Sequence, residues 1–188
     1  LARAFTHRDK ILKFEGGWHG TNDYAMFGTV PQHASDYPHA ECDSLGVPDV
    51  LGDDRPLYEG QSTLLVGAGY SAATIIDSFI ELMKTAPGTR LTWARRDTRP
   101  EPLPRHEDDP LPQRDQLAET ANRFAKSPPK DCEALTGIVT SRIEESQGRL
   151  GIELRSETPA ERRTLEMDRI ISMTGYRPDT SIHRELQV

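Results

Sequence analysis

The sequence predicts an α/β fold in which a parallel sheet and a small antiparallel meander follow a loop-rich N-terminal segment. Three observations lead to this prediction. A short apolar run ends at Gly67, a helical pattern follows it directly, and short strand-like stretches separated by turns fill the C-terminal half. Strands that alternate with helical patterns indicate strand–helix–strand units, whose strands run parallel.

The N-terminal segment differs in composition and in hydrophobic pattern. Four of the six histidines precede residue 40, and no long periodic apolar segment accompanies them. Turn residues then cluster at 46–49 and again at 52–56. We therefore divide the chain into residues 1–48, which we expect to be poorly ordered, and a domain of residues 49–188.

The first strand–helix–strand unit follows this boundary. The apolar run at 63–66 has the length of a buried parallel strand. Residues 71–83 place apolar side chains at helical spacing, with Asp77 and Glu81 on the polar side. Residues 90–94 are rich in β-branched and aromatic side chains and predict the second strand.

Proline shapes the next segment. Five prolines lie between residues 99 and 112, which excludes regular helix and predicts an extended excursion. A second helix is predicted over 114–126, ending before Pro128. Its packing side carries small and apolar residues, namely Leu117, Ala118, Ala121 and Ala125.

Three strand-like stretches complete the fold. They cover residues 134–143, 149–155 and 164–173. Gln147 and Gly148 supply a turn between the first two stretches, which predicts the antiparallel meander.

Charge and cysteine content exclude several classes of function. The 23 basic and 30 acidic residues give a net charge of −7, whereas nucleic-acid binding draws on a basic surface. No membrane-spanning run or signal peptide is present, so we expect a cytoplasmic protein without a membrane partner. The two cysteines form no Cys-x-x-Cys pair, and the loose spacing of His33 and His39 predicts no metal site.

The strongest chemical signal is the turn Gly67-Ala68-Gly69-Tyr70-Ser71-Ala72 between the first strand and the first helix. Gly67 permits a tight turn, Gly69 lets the backbone approach a pyrophosphate, and Ala72 lets the helix pack closely on the strand. The phosphates would lie at the helix N-terminus, beside Ser71. These features predict a Rossmann-like dinucleotide-binding domain; a merely structural turn is the alternative.

The end of the second strand bears on which dinucleotide binds. Three arginines, Arg95, Arg96 and Arg99, follow Trp93 and Ala94 there. Guanidinium groups bind phosphate bidentately, so this cluster favours the 2′-phosphate of NADP(H). Asp97 keeps NAD open, because a carboxylate at this place binds ribose hydroxyls, and a solvated loop face is the alternative to both.

Residues 48–188 resemble the pyridine-nucleotide-binding half of FAD-dependent oxidoreductases, in the disulfide-reductase and flavin-monooxygenase-like superfamily. The resemblance is carried by residues 65–72, by the Arg95-Arg96 pair, and by residues 168–179 with their Thr-Gly-x-x-Pro pattern. It implies that hydride passes from nicotinamide to flavin in the parent enzyme, and that Gly175 lies near the cofactors. The flavin domain is missing from this chain, which we therefore expect to be incomplete for catalysis and unable to hold FAD tightly.

Residues 2–20 resemble a different family, the class III PLP-dependent aminotransferases that include glutamate-1-semialdehyde aminomutases. This resemblance implies that Trp18 stacks on the pyridoxal ring with His19 beside it; packing of both residues in a small core is the alternative. Because two incomplete families meet near residues 46–52, we interpret the chain as a hybrid reading frame, such as an assembly or recombination artefact, instead of an evolved bifunctional enzyme. We also expect it to be a piece of something longer. Three functions remain open: part of an oxidoreductase, an aminotransferase fragment, or a non-catalytic nucleotide-binding fragment.

Overall fold

The computed structural model describes residues 47–105, 111–156 and 160–175. The chain divides into two units, Leu1–Pro48 and Asp49–Val188, and all elements below belong to the second. In chain order they are α1 (Arg55–Tyr58), β1 (Ser62–Val66), α2 (Tyr70–Thr85), β2 (Arg90–Arg95), α3 (Pro112–Lys126), β3 (Glu133–Thr136), β4 (Ile138–Ser146), β5 (Arg149–Ser156), β6 (Arg162–Met167) and β7 (Arg169–Ser172). The predictions for residues 1–46, including Trp18 and His19, lie outside the described residues.

A four-stranded parallel sheet forms the centre of this unit, with strand order β3-β2-β1-β7. Strand β1 pairs in parallel with β2 on one side and with β7 on the other, so that Leu65 lies between Trp93 and Ile171. Its three middle residues are all buried, because elements cover both faces of the sheet. The predicted α/β fold with a parallel sheet is confirmed.

Helices α2 and α3 cover one face of the parallel sheet. Leu65 and Trp93 point to this side and pack in one core with Ile76 and Phe79 of α2. Phe124 of α3 meets Trp93 edge to face, with ring centroids 6.2 Å apart. Neither helix, nor any other in the described part of the chain, has the length and apolar character needed to cross a membrane.

The antiparallel meander, in the order β4-β5-β6, covers the other face. Leu64 and Ala94 alternate with the helix-facing residues of their strands and pack against Ile152, Leu154 and Leu165 of the meander. The turn between β4 and β5 is the predicted one, since Gln147 and Gly148 adopt φ values of 54° and 76°. The unit therefore has three layers: helices, parallel sheet and meander.

Two predicted strands are each divided in the structure. The stretch 134–143 is interrupted at Gly137, whose φ of 66° turns the chain from β3 in the parallel sheet to β4 in the meander. The stretch 164–173 is interrupted at Asp168, where the chain returns from β6 to β7. Predicting single strands was wrong because the chain changes sheets at a single residue, with strand-forming residues on both sides of it.

The start of α3 also differs from the prediction. The helix begins at Pro112, which was assigned to the extended excursion. Proline is compatible with the first turn of a helix, because the N–H that it lacks has no partner inside the helix there.

Candidate nucleotide-binding site

Gly67 connects β1 to the ends of both neighbouring strands. Its N–H donates to the carbonyl of Ala94 at 3.2 Å, and its own carbonyl accepts from the buried indole N–H of Trp93 at 2.6 Å. Its φ is +137°, and a Cβ placed there would lie under 3.0 Å from the backbone carbonyl of Met173. The fold itself therefore requires glycine at position 67.

Gly69 presents the opposite case. Its φ of −92° and ψ of −175° are extended values that any residue adopts. A Cβ placed on Gly69 would meet no atom within 4 Å. Neither backbone conformation nor packing in the described part of the chain explains glycine at position 69, and its missing side chain leaves open space in front of the turn.

Helix α2 begins at this open space. Gly69 is its N-cap residue, no side chain caps the helix, and its first turn contains no acidic residue. The N–H of Ala73 bonds to the carbonyl of Gly69 at 3.1 Å, whereas the preceding amides have no partner inside a helix. These amides and the helix dipole favour an anion there. Ala72 is fully buried, as predicted for close helix packing, and Ser71 is exposed.

The three predicted arginines point in different directions. Arg95 shares the helix-facing side of β2 with Trp93 and is only 2% exposed. Its Nη1 donates to the carbonyls of Asp97 at 3.1 Å and Arg99 at 2.6 Å, and its guanidinium carbon lies 5.4 Å from the Trp93 ring centroid. Burial lowers the pKa of Arg95. Nη1 is thus engaged inside the protein, whereas Nε is buried without a hydrogen-bond partner among the described residues.

Arg96 and Arg99 are exposed at the carboxyl end of β2. Within the residues that the structure describes, Arg96 makes no hydrogen bond or ion pair. Arg99 forms an ion pair with Asp97 and donates to the carbonyl of Pro102 at 3.0 Å. The hydrogen bonds from Arg99 hold the pKa of the Asp97 carboxyl below its usual range. The Asp97 carboxylate therefore already accepts hydrogen bonds from Arg99 in the same loop.

The segment after β2, residues 96–105, is here named the arginine loop. Asn122 of α3 anchors the loop by two hydrogen bonds to Leu103. Its side-chain oxygen accepts from the N–H of Leu103 at 3.1 Å, and its side-chain nitrogen donates to the Leu103 carbonyl at 2.8 Å. Tyr70 anchors it from α2, with its hydroxyl 3.3 Å from the carbonyl of Pro104. Sequence reasoning missed both anchors; the available signal was a polar Asn122 beside Ala121 on the packing side of a predicted helix.

Gly175 lies three residues beyond the end of β7. Because β7 runs parallel to β1, this segment and the Gly67–Ala72 turn leave the same edge of the sheet. Gly175 is exposed with a φ of +74°, and a Cβ there would meet no atom within 4 Å. Among the described residues, no group of three or more His, Cys, Asp or Glu side chains could hold a metal ion.

Comparison with solved structures finds flavoprotein and reductase chains. No family model matches the sequence. The chain is similar to the FAD-bound cadaverine monooxygenase of desferrioxamine biosynthesis from Erwinia amylovora, at 17% identity and a TM-score of 0.49, covering 73% of this chain and 40% of that one. It is also similar to thioredoxin reductase from Streptococcus pyogenes, at 16% identity and a TM-score of 0.45, covering 72% and 38%.

A curated relative comes from the second resembled family. The chain is 40% identical over 78 residues to a glutamate-1-semialdehyde 2,1-aminomutase from Methanothermobacter thermautotrophicus, which covers 40% of this chain and 18% of that protein. The chain thus spans less than a fifth of this relative. Both families that the sequence resembles are found among its matches.

Proposed function

We propose that residues 49–188 form a domain that binds NADP(H) and serves as the nicotinamide-nucleotide-binding part of an FAD-dependent oxidoreductase. The observation that carries the proposal is the open space beside Gly69. A Cβ placed on this residue would meet no atom within 4 Å, and Gly69 is the N-cap of α2, which no side chain caps. A pyrophosphate placed there would approach the backbone closely and accept hydrogen bonds from the first-turn amides.

The 2′-phosphate is assigned to the exposed arginines. Strands β1 and β2 are parallel and in register from Ser62 with Arg90 to Val66 with Ala94, so the glycine turn and Arg96 follow strand ends at one edge. Arg96 is free to bind a phosphate and Arg99 can share its guanidinium with one. NAD is the competing ligand, but Asp97, which would hold its ribose hydroxyls, is already paired with Arg99.

The flavin chemistry belongs to the longer enzyme. The parent reaction would be hydride transfer from nicotinamide to flavin, in which the protein contributes binding and orientation. The turn at residues 67–72 is assigned to the nicotinamide dinucleotide, and the described residues supply no second glycine-rich turn for FAD. We therefore propose no FAD-binding residues in this chain.

The substitution Gly69→Ala tests the pyrophosphate site. The new methyl group has open space and an allowed backbone conformation, so the melting temperature should fall only slightly, through the weaker preference of alanine for the N-cap. With a dinucleotide present the methyl group would meet the pyrophosphate. Overpacking of this kind costs about 1–3 kcal/mol, or roughly a five- to 150-fold weaker Kd for NADPH.

A matched control is Gly151→Ala in β5, where the new Cβ would have an ordinary contact of 3.7 Å to the Glu144 carbonyl. Nicotinamide fluorescence in titrations of NADPH and NADH gives both affinities. The wild type and Gly151→Ala should bind alike. NADPH binding to Gly69→Ala as tight as to wild type would contradict the assignment.

Arg96→Ala tests the phosphate preference. Loss of a charged hydrogen bond costs about 1.5–3 kcal/mol, which lowers the NADPH-to-NADH affinity ratio roughly 10- to 150-fold. Arg90→Ala is the control, since Arg90 is an exposed arginine at the opposite end of the same strand. An equal loss in both variants would indicate a general charge effect and would contradict a 2′-phosphate site at Arg96.

A PLP-binding fragment is the second candidate, favoured by the 40% identity over 78 residues with the aminomutase. A pyridoxal chromophore that stays with the protein through gel filtration, and is lost in Trp18→Ala, would support it. A colourless protein that binds NADPH would leave the dinucleotide proposal, with a non-catalytic binding fragment as its minimal form.

A further inference from the structure

Arg95 is the most buried of the charged side chains described in the structure, and it contacts the backbone of the arginine loop. It is 2% exposed, whereas its neighbour Arg96 is exposed. Strand alternation explains the difference, because Leu91, Trp93 and Arg95 occupy the helix-facing side of β2. A phosphate group approaches from the solvent, and the buried guanidinium of Arg95 is not accessible from there.

The contacts of Arg95 run to the backbone of the arginine loop. One nitrogen, Nη1, donates to the carbonyls of Asp97 and Arg99, and these two bonds span the first turn of the loop. The Trp93 ring stacks near the guanidinium at 5.4 Å and supplies a favourable site for the cation. Trp93 also donates to the Gly67 carbonyl, so the same side chain contacts both Arg95 and the glycine turn.

We infer that Arg95 is a positioning residue: it holds the arginine loop so that Arg96 and Arg99 meet the 2′-phosphate, and it does not bind the phosphate itself. The inference rests on the proposed function and deepens it. Arg95 fixes the start of the loop, while Asn122 and Tyr70 fix its end through Leu103 and Pro104. A loop held at both ends loses little conformational freedom when the nucleotide binds.

Two variants separate positioning from direct binding. Arg95→Met keeps an extended side chain without donors and should release the start of the loop. Asn122→Ala releases its end, and a neutral side chain buried under the loop has no charge to offer a phosphate. Each variant should lower the NADPH-to-NADH affinity ratio roughly two- to tenfold, the range that ordering a side chain on binding carries.

Hydrogen exchange on the nucleotide-free protein provides an independent readout. In Arg95→Met the Arg99 amide should exchange faster than in wild type, while Arg96→Ala should leave loop exchange unchanged. A double-mutant cycle completes the test. In a background of Arg96→Ala with Arg99→Ala, adding Arg95→Met should have no further effect on the affinity ratio, because positioning acts only through those side chains.

The outcomes are distinguishable. An additive effect of Arg95→Met in that background would overturn the inference and support direct binding by Arg95. An unchanged ratio in Asn122→Ala would overturn it because the position of the loop would then not set the preference for NADPH. Unchanged exchange in Arg95→Met would overturn it on structural grounds. A wild-type chain without preference for NADPH would instead contradict the proposed function, while the exchange experiment would still report whether Arg95 holds the loop. If Arg95→Met does not fold, Asn122→Ala carries the ratio test alone.

Discussion

Replacing Gly67 with alanine should destabilise the fold more than replacing Gly69, the other glycine of the turn. Two effects combine at this position. The backbone has a φ of +137°, a conformation that L-residues rarely adopt, and the new Cβ would lie under 3.0 Å from the Met173 carbonyl. Met173 directly follows β7, and its N–H donates a hydrogen bond to the carbonyl of Val66 at 2.7 Å. The overlap is with backbone, so no side-chain rotation relieves it.

The magnitude follows from these two effects. Backbone strain of this kind costs about 1–3 kcal/mol and overpacking about 1–3 kcal/mol, so the free energy of unfolding should fall by about 2–6 kcal/mol. A domain of this size has about 5–15 kcal/mol in total. Gly148→Ala is the control, since its φ is +76° but its Cβ would meet no atom within 4 Å. That change should cost about 1–2 kcal/mol from conformation alone.

Urea denaturation followed by far-UV circular dichroism measures both variants against wild type. The difference between them reports the contact with Met173 together with the greater backbone strain at a φ of +137°. A Gly67→Ala variant no less stable than Gly148→Ala would refute the reasoning, because it would mean that the ends of β1 and β7 separate at negligible cost.

Two further predictions concern the core and the acid side of the stability profile. Phe124→Ala should lower the free energy of unfolding by about 3–5 kcal/mol, because Phe124 is 1% exposed and packs edge to face on Trp93; a cost under about 1 kcal/mol in urea denaturation would contradict the packing. Hydrogen bonds from Ser62 hold the pKa of Asp168 below its usual range. Its stabilisation is therefore complete above the unfolded pKa of about 3.9 and is lost as the pH falls through the folded pKa, so Asp168→Asn should flatten the acid-side decline measured by urea denaturation at a series of pH values. An unchanged decline would rule this out.

The strand–helix–strand unit could be predicted because its signals are local. The apolar run of β1 and the periodicity of α2 each lie within one element, and the glycine turn lies between them. The hairpin at Gln147 and Gly148 is local in the same way, since the two positive φ values belong to the turn residues themselves.

The changes of sheet could not be predicted from local propensity. Strand-forming residues flank Gly137 and Asp168, which are themselves disfavoured in strands, but a single such residue does not indicate a change of sheet. The positions of the partner strands decide where one sheet ends. Gly137 adopts a φ of 66° and Asp168 accepts two hydrogen bonds from Ser62, which is distant in sequence.

The direction of the Arg95 side chain is an intermediate case. The alternation of Leu91 and Trp93 indicated that Arg95 faces the helices, but a cluster of three arginines suggested a common role.

The glycine turn shows why a motif alone cannot separate structure from function. In sequence, Gly67 and Gly69 have equal weight as parts of one pattern. In the structure, Gly67 is fully explained by a positive φ and by the Met173 backbone, so its presence would be required even in a protein that binds nothing. Gly69 has an ordinary conformation and an empty Cβ position, so that only a general preference for glycine at a helix N-cap explains it within the described protein. Under the proposed function a ligand fills that space, and Gly69→Ala therefore tests binding, whereas Gly67→Ala would confuse lost binding with lost stability.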